Sequence, residues 1–213
     1  MILLSTAYFG NIQYYTKLVQ TTEPVVIDLG ENYRKQSFRN RCEILGANGV
    51  IALSVPVLKT SGEKTPVRQV RIDPTKAWRH RHWHSIRSAY KNSPYFDHYA
   101  EAFEPLYQKE YDLLWELNRD AQQAVLDTLE IKAGFACSET YVDASPANAD
   151  WRDALSEKPR LRRPDPDFRA ESYYQVFSER TAFVPNLSIL DLLFNEGPAA
   201  VDLLRRGGTT AKI

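Results

Sequence analysis

Short apolar runs separated by polar breaks open the chain, a pattern that predicts strands joined by a helix. "ILLSTAYF" and "PVVIDL" are apolar runs of strand length, and "NIQYYTKLVQ" between them suits a helical crossover. "SFRNRCEIL" and "VIALSVPVL" flank "GANG", whose glycines and asparagine favour a tight reversal, so the pair predicts a β-hairpin. "VRQVRID" alternates and is expected to add a further strand. From Trp78 the apolar period becomes helical. Residues 106–130 predict one long helix, with Leu106, Leu113, Leu114, Leu117, Ala121, Ala124 and Val125 on its core face. Residues 139–172 are rich in Pro, Asp, Arg and Ser, and "RRPDPDFR" resists helix and central strand alike, which predicts a surface connection. "FVPNLSILDLLFNEGPAAVDLLRR" predicts two helices parted by an Asn-Glu-Gly-Pro stop. The expected fold class is α/β, a mixed sheet built from the strand-helix-strand unit and the hairpin and covered by C-terminal helices. One domain is expected over 1–213: a sheet-rich part at 1–77, a helical part at 78–138, the proline-rich connection at 139–172 and a C-terminal helical segment at 173–213.

Composition narrows the class without naming a partner. The 213 residues suffice for a sizeable core, 43% are hydrophobic, and 27 Lys+Arg balance 27 Asp+Glu, so the chain is globular with zero formal charge. Cys42 and Cys137 are too few for a disulfide framework, and neither has zinc or redox-pair spacing, which fits reduced thiols in a cytoplasm. No basic leader precedes an apolar run and no window approaches ~18–20 uninterrupted apolar residues, so neither a signal peptide nor a membrane span is expected. Charge is placed unevenly, however. Residues 34–41 and 68–91 hold eleven basic residues and one acid, whereas 92–160 hold fourteen acids and six bases, so the two parts carry opposite local fields. That asymmetry fits either an anion-handling face or a solvated basic face paired with the acidic helix.

"WRHRHWHSIRSAY" concentrates three of the four histidines. At roughly 100° per residue, Trp78, Arg79, His82, Trp83, Ile86, Ala89 and Tyr90 fall on one helical face, and His80, His84, Arg87 and Lys91 fall opposite. His80 and His84 have the four-residue spacing of a zinc pair but lack a third ligand nearby, so no metal is expected. The aromatic rings that would stack on bases lie on the buried face, and the pI is near 6.9, so no nucleic acid is expected either. His82 is then either a hydrogen-bonded core histidine or a general acid/base in a partly open site.

Alternation along "SFRNRCEIL" places Phe38, Asn40, Cys42 and Ile44 inward and Arg39, Arg41 and Glu43 outward. Cys42 reads as packed, while Asn40 is an inward polar group that needs partners or a ligand. Arg41 is the preferred anion ligand because a guanidinium matches phosphate or carboxylate with two parallel bonds, and Lys35 adds a second charge. Convergence of His82, Asn40 and Arg41 on one pocket requires a bulge, strand end or twist near residue 40.

"ENYRKQSFRNRCEI", "LSVPV", "WRHRHWHSIRSAYKNSPYF" and "FVPNLSILDLLFNEG" together resemble the WbqC-like family of bacterial proteins, in the family's order and over most of the chain. The family pattern falls on Tyr33, Lys35, Asn40 and Arg41, on Trp78, His82, Trp83 and Tyr90, and on Asn186, Ser188 and Asp191. His80 and His84 are outside it. Where relatives carry a Pro- and Trp-rich first turn, this chain has "AYFGNIQYY". The resemblance implies a setting in surface-polysaccharide (O-antigen type) metabolism, and it adds Tyr33, Trp83 and Tyr90 to the candidate substrate-binding residues. The resulting expectation is a cytoplasmic transferase acting on an anionic small molecule such as an activated sugar, with His82 and Asn40 catalytic and Arg41 and Lys35 holding the anion. The alternative is a non-catalytic ligand-binding or scaffolding protein using the same pocket. No P-loop, dinucleotide fingerprint, nucleophile elbow or metal signature is present, so the cofactor is unknown, and so is the oligomeric state.

Overall fold

The computed structural model describes residues 1–59, 64–145, 148–155 and 164–207. Strand β1 (Ile2–Leu4), helix α1 (Ile12–Val19) and strand β2 (Val25–Asp28) form the expected strand-helix-strand unit, with β1 and β2 parallel. Strand β3 (Arg41–Gly46) and strand β4 (Gly49–Ser54) form the expected hairpin, turning at 47–48. The next helices are α2 (Trp78–Tyr90), α3 (Phe96–Phe103), α4 (Pro105–Gln108) and α5 (Leu114–Thr128). Two further parallel strands follow, β5 (Phe135–Ser138) and β6 (Ala149–Asp150), and then α6 (Ile189–Glu196) and α7 (Ala200–Arg206). The fold is α/β, with a four-stranded parallel sheet of order β5-β2-β1-β6 beside the two-stranded antiparallel pair β3-β4.

Two local expectations change. The 106–130 segment is two helices, because residues 112–114 run extended against 70–72: Ile72 N donates to Asp112 O (2.8 Å) and Leu114 N to Val70 O (2.9 Å). The competition for those backbone groups ends α4 and restarts the helix at Leu114. "VRQVRID" is a 3-10 turn at Val67–Gln69 followed by isolated bridges, Val57 to Ile72 and Arg71 to Leu113. Its alternation reflects Val67, Val70 and Ile72 entering the core singly.

Part of the proline-rich segment does more than connect. Residues 149–150 pair with β1 as an edge strand of the sheet, and the ion pair of Asp165 with Lys17 (2.8 Å) ties the 164–168 stretch to α1. "RRPDPDFR" lies partly outside the described residues, since only 164–169 of it are seen.

The core is continuous. Leu3, Leu4, Ile44, Leu45, Ile86, Leu114, Leu117 and Phe194 are fully enclosed. Helix α6 starts at the N-cap Ser188, whose Oγ also donates to Phe9 O (2.9 Å), and stops at Gly197, whose φ of +54° is the left-handed geometry glycine adopts without strain.

Candidate functional site

Open parallel α/β sheets bind ligands outside the carboxyl ends of their strands, at the point where strand order reverses. Here β1 hands the chain through α1 to β2 on one side, while β6 lies on its other side, so the reversal falls between β1 and β6. A crevice opens at that place, lined by residues 5–7 after β1, by Gly10 and Asn11 before α1, and by residues 151–155 after β6. Its fourth wall is the 34–39 loop.

That loop is held firmly. Tyr8 N donates to Phe38 O (2.8 Å), Asn118 Nδ2 to Arg39 O (2.7 Å), and Val55 N to Asn40 O (2.8 Å). Two non-glycine residues in the bordering loops have left-handed backbones, Phe9 (φ +43°) and Gln36 (φ +53°). Such conformations cost of order 1–3 kcal/mol and gather at functional sites. Gly10 is required by close approach, since a Cβ there would lie 2.9 Å from the Tyr14 ring.

The amino end of α1 does not present free donors to the crevice. Ile12 N bonds Leu187 O, Gln13 N bonds Asn186 Oδ1 and Tyr14 N bonds Asn11 Oδ1. The charged side chains lining the crevice are three arginines, Arg34, Arg39 and Arg152, and the carboxylate Asp153. Arg39 is buried and forks onto Glu31, with Nε to Oε1 at 2.8 Å. Burial pushes the Glu31 carboxyl up, and the Arg39 guanidinium pulls it back part of the way. Arg152 is buried too, bonding Asp150 Oδ2 (2.6 Å), Asp28 and Val142 O (2.7 Å). Arg34, half-exposed, pairs with Asp153 at 2.8 Å.

The residues singled out from the sequence lie elsewhere, and none of His82, Asn40 and Arg41 lines this crevice. Those three do come together, around 54–55. His82 bonds the Ser54 backbone, Arg41 is the register partner of Ser54, and Asn40 Nδ2 donates to Val55 O (2.9 Å). The meeting point is a packed joint. His82 is 6% exposed, and its Nδ1 lies 2.9 Å from the Tyr8 hydroxyl, which in turn lies 2.8 Å from the Tyr107 hydroxyl. Burial lowers its pKa to about 4, so the ring is neutral at pH 7. Asn40 Oδ1 is buried without a partner, and Arg41 spends its outer nitrogen on Glu43 (3.3 Å).

The other candidates have structural surroundings. Tyr90 is enclosed and donates to Asp191 (2.8 Å), which also accepts from Tyr173 (2.6 Å) and Gln175 (2.9 Å). Trp83 donates to Glu104 (3.0 Å) and stacks on Phe96 and Tyr107. Tyr33 is half-buried against the core, with its hydroxyl pushed up to about 12 by burial, and Lys35 is exposed beside Arg34. The faces read for α2 hold at Trp78, His82, Ile86, Ala89 and Tyr90, which are buried, and at His80, His84, Arg87 and Lys91, which are exposed, whereas Arg79 and Trp83, read as inward, are only half-buried.

Reasoning from the sequence missed Arg34, Arg39, Arg152 and Asp153 as a group. One signal was present: Asp28 interrupts the apolar run "PVVIDL" one residue before its end, at the carboxyl end of a strand, where ligand sites of such sheets lie.

Comparison with known proteins is consistent with the motifs. The chain is 28% identical over 213 residues to the uncharacterized protein Rv1507c of Mycobacterium tuberculosis (strain ATCC 25618 / H37Rv), covering 90% of this chain and 91% of that protein. No solved structure matches it. The WbqC-like protein family matches residues 6–158 and 166–203, nearly the whole chain, and the protein belongs to that family.

Proposed function

We propose that the chain binds an anionic small molecule in the crevice between β1 and β6 and, as a cytoplasmic enzyme of bacterial surface-polysaccharide metabolism, transfers a group to or from it. The observation that carries this reading is the pair of guanidiniums, Arg34 and Arg39, held at the strand-order reversal by a loop whose backbone is bonded on both sides. Fixed cations placed before the ligand arrives can stabilise charge that develops during phosphoryl or glycosyl transfer. An activated sugar or related phosphate ester fits that chemistry, and the family resemblance supplies the polysaccharide setting. Among the described residues no helix is long and apolar enough to cross a membrane.

A second reading, ligand binding without catalysis, is favoured by one observation. Arg39, Arg152 and the carboxylates beside them are engaged in ion pairs, and the buried His82 ring lies outside the crevice. Among the described residues, the carboxylates at the crevice are all engaged in ion pairs.

Calorimetric titration with inorganic pyrophosphate and with UDP-glucose tests the site. Arg34→Ala is expected to weaken binding of either probe about tenfold, a loss of about 1.4 kcal/mol, and added salt is expected to weaken the wild type in the same sense. Equal affinities for wild type and Arg34→Ala would remove the crevice as the anion site.

A further inference from the structure

We infer that the Asp153 carboxylate occupies the subsite where the ligand's phosphate binds, and that the Arg34–Asp153 pair is the partition the ligand opens. This rests on the crevice being the anion site. Asp153 follows β6 and faces two guanidiniums at once: Oδ2 lies 2.8 Å from Arg34 Nη2 and Oδ1 lies 3.6 Å from Arg39 Nη2. The carboxylate thus meets Arg34 at hydrogen-bond distance and Arg39 at the longer distance of an ion pair. A tetrahedral phosphate has a third oxygen and can satisfy both.

The surrounding space points the same way. Arg34, Arg152 and Asp153 line both the inner crevice and an outer groove, which runs from Gly30 to Lys64 and Tyr141. The inner crevice encloses about 40 Å³ and the outer groove about 570 Å³. A few waters fill the former, whereas ligand pockets are several-fold larger. A ligand reaching Arg39 from the groove must therefore displace what separates the two spaces.

The five ion pairs around the partition differ in the way this step requires. Arg39–Glu31 and Arg152–Asp28 are formed by side chains less than a tenth exposed, and Arg152–Asp150 and the longer Arg39–Asp153 contact by one such side chain each. Arg34 and Asp153 are 49% and 36% exposed. Exposed pairs contribute little to stability, so exchanging Asp153 for a phosphate leaves the buried network in place.

Binding of inorganic pyrophosphate to wild type, Asp153→Asn, Arg34→Ala and Glu101→Gln tests the inference, the last removing one exposed negative charge on α3 as a control. Asp153→Asn is expected to tighten binding roughly threefold to tenfold, while Glu101→Gln leaves it unchanged. Asp153→Asn binding no tighter than wild type, with Arg34→Ala still weaker, would overturn the inference and leave the crevice as the anion site. Absence of binding to both wild type and Asp153→Asn would overturn the two together. Tightening by Glu101→Gln to the same degree would assign the effect to net charge and also overturn it.

Discussion

Arg152→Ala is expected to destabilise the protein by about 3–5 kcal/mol, the range for breaking a buried ion pair from one side. Asp28 is fully enclosed at the carboxyl end of β2, where it accepts from Gly30 N (2.9 Å), Glu31 N (3.1 Å) and Ser138 Oγ (3.2 Å) as well as from Arg152. Without the guanidinium that carboxylate keeps its neutral donors and loses its cation. The same side chain carries Asp150 and the Val142 carbonyl, so its removal also loosens β6 and residues 141–142. Arg152→Lys should recover only part of the loss, because an ammonium cannot fork onto Asp150 while reaching Asp28 and Val142. Urea unfolding of the three proteins measures this, and a loss below about 1 kcal/mol for the alanine variant would show that the network is dispensable.

His82→Ala is expected to cost about 3 kcal/mol at pH 7.5, the sum of a cavity beside Trp78 and a Tyr8 hydroxyl left short of a partner. The wild type should also lose stability in acid through this residue. Its folded pKa of about 4 lies below the unfolded value of about 6.5, so the unfolded chain binds the proton first. The contribution is complete above about pH 6.5 and is lost as pH falls toward 4, amounting to about 3 kcal/mol over that window. His82→Asn, which cannot titrate there, should show a flatter pH profile. If His82→Ala instead kept wild-type stability and lost pyrophosphate binding in the folded fraction, the histidine would belong to a site and the crevice assignment would be misplaced.

The sequence carried the parts of this fold whose signals are local. A 3.6-residue period sorted the α2 histidines correctly, and "GANG" between two apolar runs marked the hairpin turn. Strand β6 was invisible because two residues, Ala149 and Asp150, carry no period at all. Their strand conformation comes from Met1 O and Leu3 O, which accept from Ala149 N and Trp151 N. The crevice was lost with it, since a site at a strand-order reversal can be located only once the strand on the far side is known. Asn40 and His82 drew notice as polar residues on apolar faces, which is equally the mark of a buried hydrogen-bonded joint. Strand alternation alone places Arg39 outward. The regular strand starts only at Arg41, so its alternation does not extend back to Arg39, which turns inward to Glu31.

The most direct test of the crevice is a ¹H–¹⁵N spectrum of the full chain titrated with inorganic pyrophosphate at low salt. Saturable shifts are expected at residues 5–11, 34–39 and 151–155, with the exposed positions His80, His84 and Arg87 of α2 and its C-cap Lys91 unmoved. Shifts centred instead on those four positions, or on Asn40, Arg41 and His82, would contradict the crevice assignment.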